Sequence, residues 1–147
     1  LFKGPHIKTG IVTALGMDTD IFNTFLNLAN IPSKPSAVDS YDLSETLIGN
    51  SASPRNFIPF YRNSTLRAFR LGNQKLHFVT NDKFGGPTTD HEPPILIDLV
   101  NDIAENNDLS ATSPQAVKAI QQRVAEFQAS ITIAPSIFDR QKEKQTE

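Results

Sequence analysis

The dipeptide Gly72-Asn73 constrains this chain more than any other short feature. It separates two runs, residues 66–71 and 75–80, that are rich in apolar and β-forming side chains. Both residues of the pair tolerate positive φ, so they read as a tight turn joining two antiparallel strands. A further strand candidate, 56–61, precedes this hairpin, and a fourth, 95–99, follows it. The loop between, 81–90, carries Gly85-Gly86-Pro87. Four strands with short links predict an antiparallel sheet with one packed face and one wetter face.

Such a sheet needs a cover, and residues after Ser113-Pro114 supply one. Serine suits the cap and proline the first turn of a helix. Val117, Ile120, Val124, Phe127 and Ile131 recur at steps of three and four, which puts them on one stripe facing the sheet. Residues 139–147, DRQKEKQTE, read as a polar tail.

The N-terminal third has a different pattern. Ile11-Val12-Thr13 suits a short strand ending near Gly16. Asp18 or Thr19 can cap a helix running through Asn30, with Ile21, Phe22, Phe25, Leu28 and Ala29 on one apolar face. Asn30 followed by Ile31-Pro32 stops it. Residues 32–40 form a loop rich in Pro and Ser, and 43–48 make a short helical turn before Gly49. A strand followed by a helix suggests the edge of an α/β layer. The expected division is therefore 1–50 as that last strand and helix plus linker, 51–138 as the sheet subdomain with its helix, and 139–147 as tail.

Composition narrows the class. A net charge of −2 and a pI near 5.9 imply no basic field for nucleic acid. No apolar run approaches the roughly 20 residues that span a bilayer. Cysteine is absent, which excludes disulfides, thiol nucleophiles and thiolate zinc sites within the chain. The first residue is Leu1 rather than Met, and no signal-peptide pattern follows, so the chain is expected to begin within a longer protein.

Several segments then align in order with one family. Asp20-Ile21-Phe22-Asn23-Thr24 followed by 26–31, Asp39-Ser40 before Leu43, the hairpin 69–75, and His91-Glu92-Pro93-Pro94 running to Asn107-Asp108-Leu109 resemble the C-terminal portion of the sulfatases. The arylsulfatase A and galactosamine-sulfatase branch is the most similar. Asn23 and Asn30 replace the family's usual proline and glycine, Ile97 its tyrosine, and Ile103-Ala104 its Pro-Gly. The resemblance implies a fold: the end of the sulfatase (alkaline-phosphatase-like) α/β core, then the four-stranded sheet and its helix.

It also implies a chemistry. A formylglycine made from a Cys-x-Pro-x-Arg or Ser-x-Pro-x-Arg motif attacks sulfur, while a calcium ion neutralises the sulfate. None of those motifs occurs here, so no catalytic residue and no cofactor is assigned to this chain. Ca2+ and formylglycine are expected in an N-terminal part. The implied function is the C-terminal part of a sulfuric ester hydrolase, supporting the core and shaping the rim of the substrate pocket. This chain alone is not an enzyme on that reading. The alternative is a catalytically inactive sulfatase-like extracellular structural or glycan-binding protein. Implied partners are the N-terminal sulfatase chain or segment and a sulfated small molecule or glycan, with homo-oligomerisation left open. The implied location is extracellular or lysosomal.

Three histidines occur, His6, His77 and His91. His6 reads as part of a turn and His77 as a sheet residue alternating with Lys75 and Val79. His91 is the substrate-binding candidate, placed where a loop enters a strand, and the resemblance puts it near the substrate mouth. Asp98, Asp102 and Glu105 fit no EF-hand spacing and read as a capped acidic turn, so no metal site is assigned. Arg70 and Lys75 flank the hairpin, where solvation is the default. Asn63-Ser64-Thr65 is an acceptor triplet for N-glycosylation at Asn63.

Overall fold

The computed structural model describes residues 3–4, 7, 9–32, 39–83 and 85–131. His6 and the polar tail at 139–147 lie outside these. The elements run α1 (Asp20–Leu28), α2 (Ser44–Leu47), β1 (Phe57–Arg62), β2 (Thr65–Leu71), β3 (Gln74–Asn81), β4 (Thr88–Asp98) and α3 (Pro114–Ser130). The strands form one antiparallel sheet in the order β1-β2-β3-β4.

Turn chemistry sets the register. Leu71 pairs with Gln74, so Gly72-Asn73 alone reverses the chain, with Gly72 at φ 56°. The pairs Phe57↔Leu71, Phe69↔Leu76 and Leu76↔Leu96 then put apolar side chains in line across all four strands. Val117, Ile120 and Val124 of α3 close over this face, and the whole cluster is buried. Phe57 stacks on Phe69 with centroids 5.4 Å apart, and Phe127 tilts onto both. The stripe expected from helical spacing is therefore the core, except that Ile131 lies past the helix end and is 40% exposed. Ser113 occupies the cap position without a side-chain cap bond; its carbonyl accepts from Ala116 and Val117.

Alternation sends Ala68, Lys75, His77 and Ile97 to the opposite face. Ala68 and Ile97 are nonetheless buried, so that face is not uniformly wet. Glu105, from the turn after β4, lies over it and reaches both Lys75 and His77.

Three expectations change. Ile11-Val12-Thr13 forms no strand, and Ile11 is almost fully exposed, because no described segment offers it a ladder partner. β4 begins at Thr88 rather than near residue 95. Pro93 and Pro94 stand outside the ladder: between His77↔Ile95 and Val79↔Asp90, β4 advances five residues while β3 advances two.

The third change is the orientation of α1. Its buried residues are Asp20 and Thr24, while Ile21, Phe22, Phe25 and Leu28 are about half exposed. The polar side is the docked side. Asn23 donates to the Ser40 carbonyl at 2.7 Å, Thr24 Oγ1 accepts from the Leu43 amide at 2.9 Å, and Asn27 donates to Ser44. Thr19 is the cap residue but its hydroxyl donates to the Asp39 carbonyl instead of capping the helix. The helix ends at Leu28, with Asn30 in the left-handed region and Ile31 N donating to Leu26 O.

Candidate functional site

His91 sits inside β4, in the stretch that leaves the ladder, and not at a loop-to-strand entry. Its half-buried ring meets Thr80 Oγ1 through Nε2 at 2.7 Å, which holds the ring against β3. Nδ1 takes no part in that bond. The flanking Asp90 and Glu92 are exposed.

His77 lies on the neighbouring strand β3, opposite Ile95, where the excursion of β4 that carries His91 rejoins the ladder. His77 Nε2 lies 2.6 Å from Glu105 Oε2, and Lys75 Nζ lies 2.7 Å from Glu105 Oε1. Burial, then the Lys75 charge, push the His77 pKa below its ordinary value, against the opposing pull of Glu105. Burial alone raises the pKa of Glu105, but its bonds to Lys75 and His77 outweigh that and hold it low. Glu105 occupies the left-handed region at φ 57°. Lys75 also lies 4.9 Å from the centre of the Phe60 ring.

The expected acidic turn is present in part. Asp98 accepts from Val100 N and Asn101, and Asp102 accepts from Asn107 N, whereas Glu105 leaves the turn for the sheet. Asp108, named in the sequence only as part of Asn107-Asp108-Leu109 and given no role there, accepts from the amides of Leu96 and Ser110 and so pins the chain after the turn to β4. Arg70 Nε donates to the Gly72 carbonyl, and Lys75 is committed to Glu105. Among the described residues no three His, Cys, Asp or Glu converge as metal ligands.

The second missed feature is Arg55. It is buried against Asp20 and caps the junction between α1 and β1. Only a lone arginine after Ser53-Pro54 signals it, and no local pattern identifies its partner 35 residues earlier. Asn63, by contrast, lies at an exposed two-residue turn between Arg62 and Thr65, as an accessible acceptor requires.

Residues 53–147 match the family model described as the C-terminal region of aryl-sulfatase. The chain belongs to the sulfatase family. Human arylsulfatase A is 33% identical over 89% of this chain and 31% of its own length. N-acetylgalactosamine-6-sulfatase from Sus scrofa is 38% identical over 51% of this chain and 15% of its own. The PsFucS1 sulfatase from Pseudoalteromonas sp. superposes with a TM-score of 0.59, covering 78% of this chain and 26% of that one at 20% identity, a likeness of fold. This sulfatase C-terminal region thus spans about three tenths of the length of the first curated relatives it matches. His91, Thr80 and the Lys75–Glu105–His77 cluster all fall within the matched residues.

Proposed function

We propose that this chain is the C-terminal part of a sulfuric ester hydrolase, that it supports the catalytic core, and that its β3–β4 region shapes the rim of the substrate pocket. The observation that carries the reading is the family match over 53–147. The sequence carries no Cys-x-Pro-x-Arg or Ser-x-Pro-x-Arg motif, and on this reading the hydrolysis, with its formylglycine and Ca2+, belongs to an N-terminal part. The inverted α1 supports the same division: an apolar stripe of Ile21, Phe22, Phe25 and Leu28 suits burial against that part.

His91 is the residue of this chain proposed to meet substrate. The Thr80 bond fixes its ring, and the excursion of β4 carries it out of the ladder. Its contact is with the part of the substrate away from the sulfate, on a sulfated aromatic or glycan. The protein is placed in the secretory pathway, in lysosomes or outside the cell.

The test is hydrolysis of a chromogenic aryl sulfate by the full-length protein, wild type and His91→Ala. Turnover by the wild type is expected, with KM raised in the variant. No turnover would favour the catalytically inactive structural or glycan-binding reading. Unchanged KM and kcat across several substrates would remove His91 from the site.

A further inference from the structure

The turn joining β1 to β2 carries a second kind of chemistry. Arg62 pairs with Thr65, so Asn63 and Ser64 alone make the reversal, and both are exposed. Asn63 takes φ 54°, which asparagine adopts more readily than most residues. The triplet Asn63-Ser64-Thr65 satisfies the N-glycosylation pattern, with no proline at its centre. Two exposed aromatic rings precede it. Tyr61, two residues upstream, is 44% exposed and Phe60, three upstream, is 37% exposed. The strand register shifts between these two residues, as at a bulge.

These residues share one surface. Phe60, Tyr61, Asn63 and Ser64 line a single groove that continues to Pro59 and Ile131. β1 is an outer strand of the sheet, so this groove follows an edge whose backbone groups invite pairing with another chain. One face of Phe60 is occupied by Lys75, which leaves Tyr61 as the more available ring.

We propose that Asn63 carries an N-linked glycan whose first sugar packs on Tyr61 in the groove along β1. This rests on the reading that the protein passes through the secretory pathway. The co-reactant is a lipid-linked oligosaccharide diphosphate. The Asn63 amide nitrogen bonds to the anomeric carbon of the first N-acetylhexosamine and gives up one proton. The bond from that carbon to the diphosphate oxygen breaks with its electron pair, and the lipid diphosphate leaves. The C–H face of a pyranose then covers apolar ring surface otherwise left in water. The glycan's bulk also keeps other strands from the β1 edge.

The full-length protein is secreted from eukaryotic cells, and its peptides are analysed by mass spectrometry before and after glycosidase treatment. A glycan on Asn63, lost in Asn63→Gln and in Thr65→Ala, is the expected result; an unmodified Asn63 in secreted protein would overturn the proposal. The packing is tested by a double-mutant cycle of Asn63→Gln with Tyr61→Ser, read as thermal midpoints. Asn63→Gln should lower the midpoint by more when Tyr61 is present, and the coupling should vanish in unglycosylated protein made in bacteria. Equal losses with and without Tyr61, or a coupling that persists without glycan, would remove the packing. Aryl sulfate hydrolysis by the secreted wild-type protein separates the two readings: turnover with a bare Asn63 sinks only the glycan, and a glycosylated protein without turnover sinks only the hydrolase.

Discussion

Arg55 grips Asp20 through two hydrogen bonds of 2.6 Å, Nε to Oδ2 and Nη2 to Oδ1, and both side chains are sealed from solvent. The remaining capacity of each group is also used. The Asp20 carboxylate accepts from the amides of Met17 and Tyr41, and the Arg55 guanidinium donates to the Asp39 carbonyl. One pair therefore ties together the segment before α1, the loop before α2 and the entry to β1.

Breaking this pair from one side strands a buried charge. Asp20→Ala or Arg55→Ala is expected to cost about 3–5 kcal/mol in urea unfolding, because the surviving partner keeps its desolvation penalty without its counter-ion. Replacing both together, as Asp20→Leu with Arg55→Met, should cost less than the two single changes summed. Full additivity would show that the charges contribute independently of one another.

Acid should attack the same pair. Burial opposes ionisation of Asp20, but the Arg55 bond and the Tyr41 and Met17 amides outweigh it and hold its pKa below 3.8. A carboxylate with a depressed folded pKa stabilises the fold above its unfolded value, and that contribution disappears as pH falls through the folded one. Stability should therefore drop below about pH 4. In Asp20→Asn the protein should be weaker at neutral pH and show less of this acid loss; an unchanged slope would place the titration elsewhere.

The helix that carries Asp20 shows where periodicity misleads. Ile21, Phe22, Phe25 and Leu28 share a face, and within one chain such a face reads as core. The structure buries Asp20 and Thr24 instead, because Arg55 and the 40–44 loop satisfy them. Pairing across 35 residues leaves no trace in local spacing. The sheet was legible for the opposite reason: the Gly72-Asn73 turn and the alternation of Phe69 and Leu71 with Ala68 and Arg70 are local, and α3's stripe matches the face they make. At the candidate site, the family pattern drew attention to His91, but its place inside β4 could not be read from it. A ladder that skips residues 91–94 depends on β3 as much as on the two prolines. Glu105 read as one acid among three, since only the fold brings Lys75 and His77 beneath it.

The aromatic cluster should respond to loss of volume. Phe69 is fully buried and touches both Phe57 and Phe127. Phe69→Ala removes the centre of that group and should destabilise by about 3–5 kcal/mol, whereas Phe69→Leu should cost less because more of the space stays filled. Thermal or urea unfolding checks the order; equal costs would show that the neighbours collapse into the gap.

Glu105 offers the sharpest electrostatic test, because it opposes the forces that depress the His77 pKa. Burial and Lys75 push His77 below 6.5, while the hydrogen bond and charge of Glu105 push it up. A histidine with a depressed folded pKa binds fewer protons than the unfolded chain over the interval between the two values, so stability falls as pH drops from about 6.5 toward the folded pKa. Removing Glu105 should deepen that loss, and removing Lys75 should lessen it. The imidazole resonances of His77 followed by NMR should titrate at lower pH in Glu105→Gln. Lys75→Met should move the titration up, provided Glu105 remains over the ring. A rise in the first variant would mean that Glu105 does not hold His77 in solution, and the turn after β4 would then have to be anchored through Lys75 and Asp108 alone.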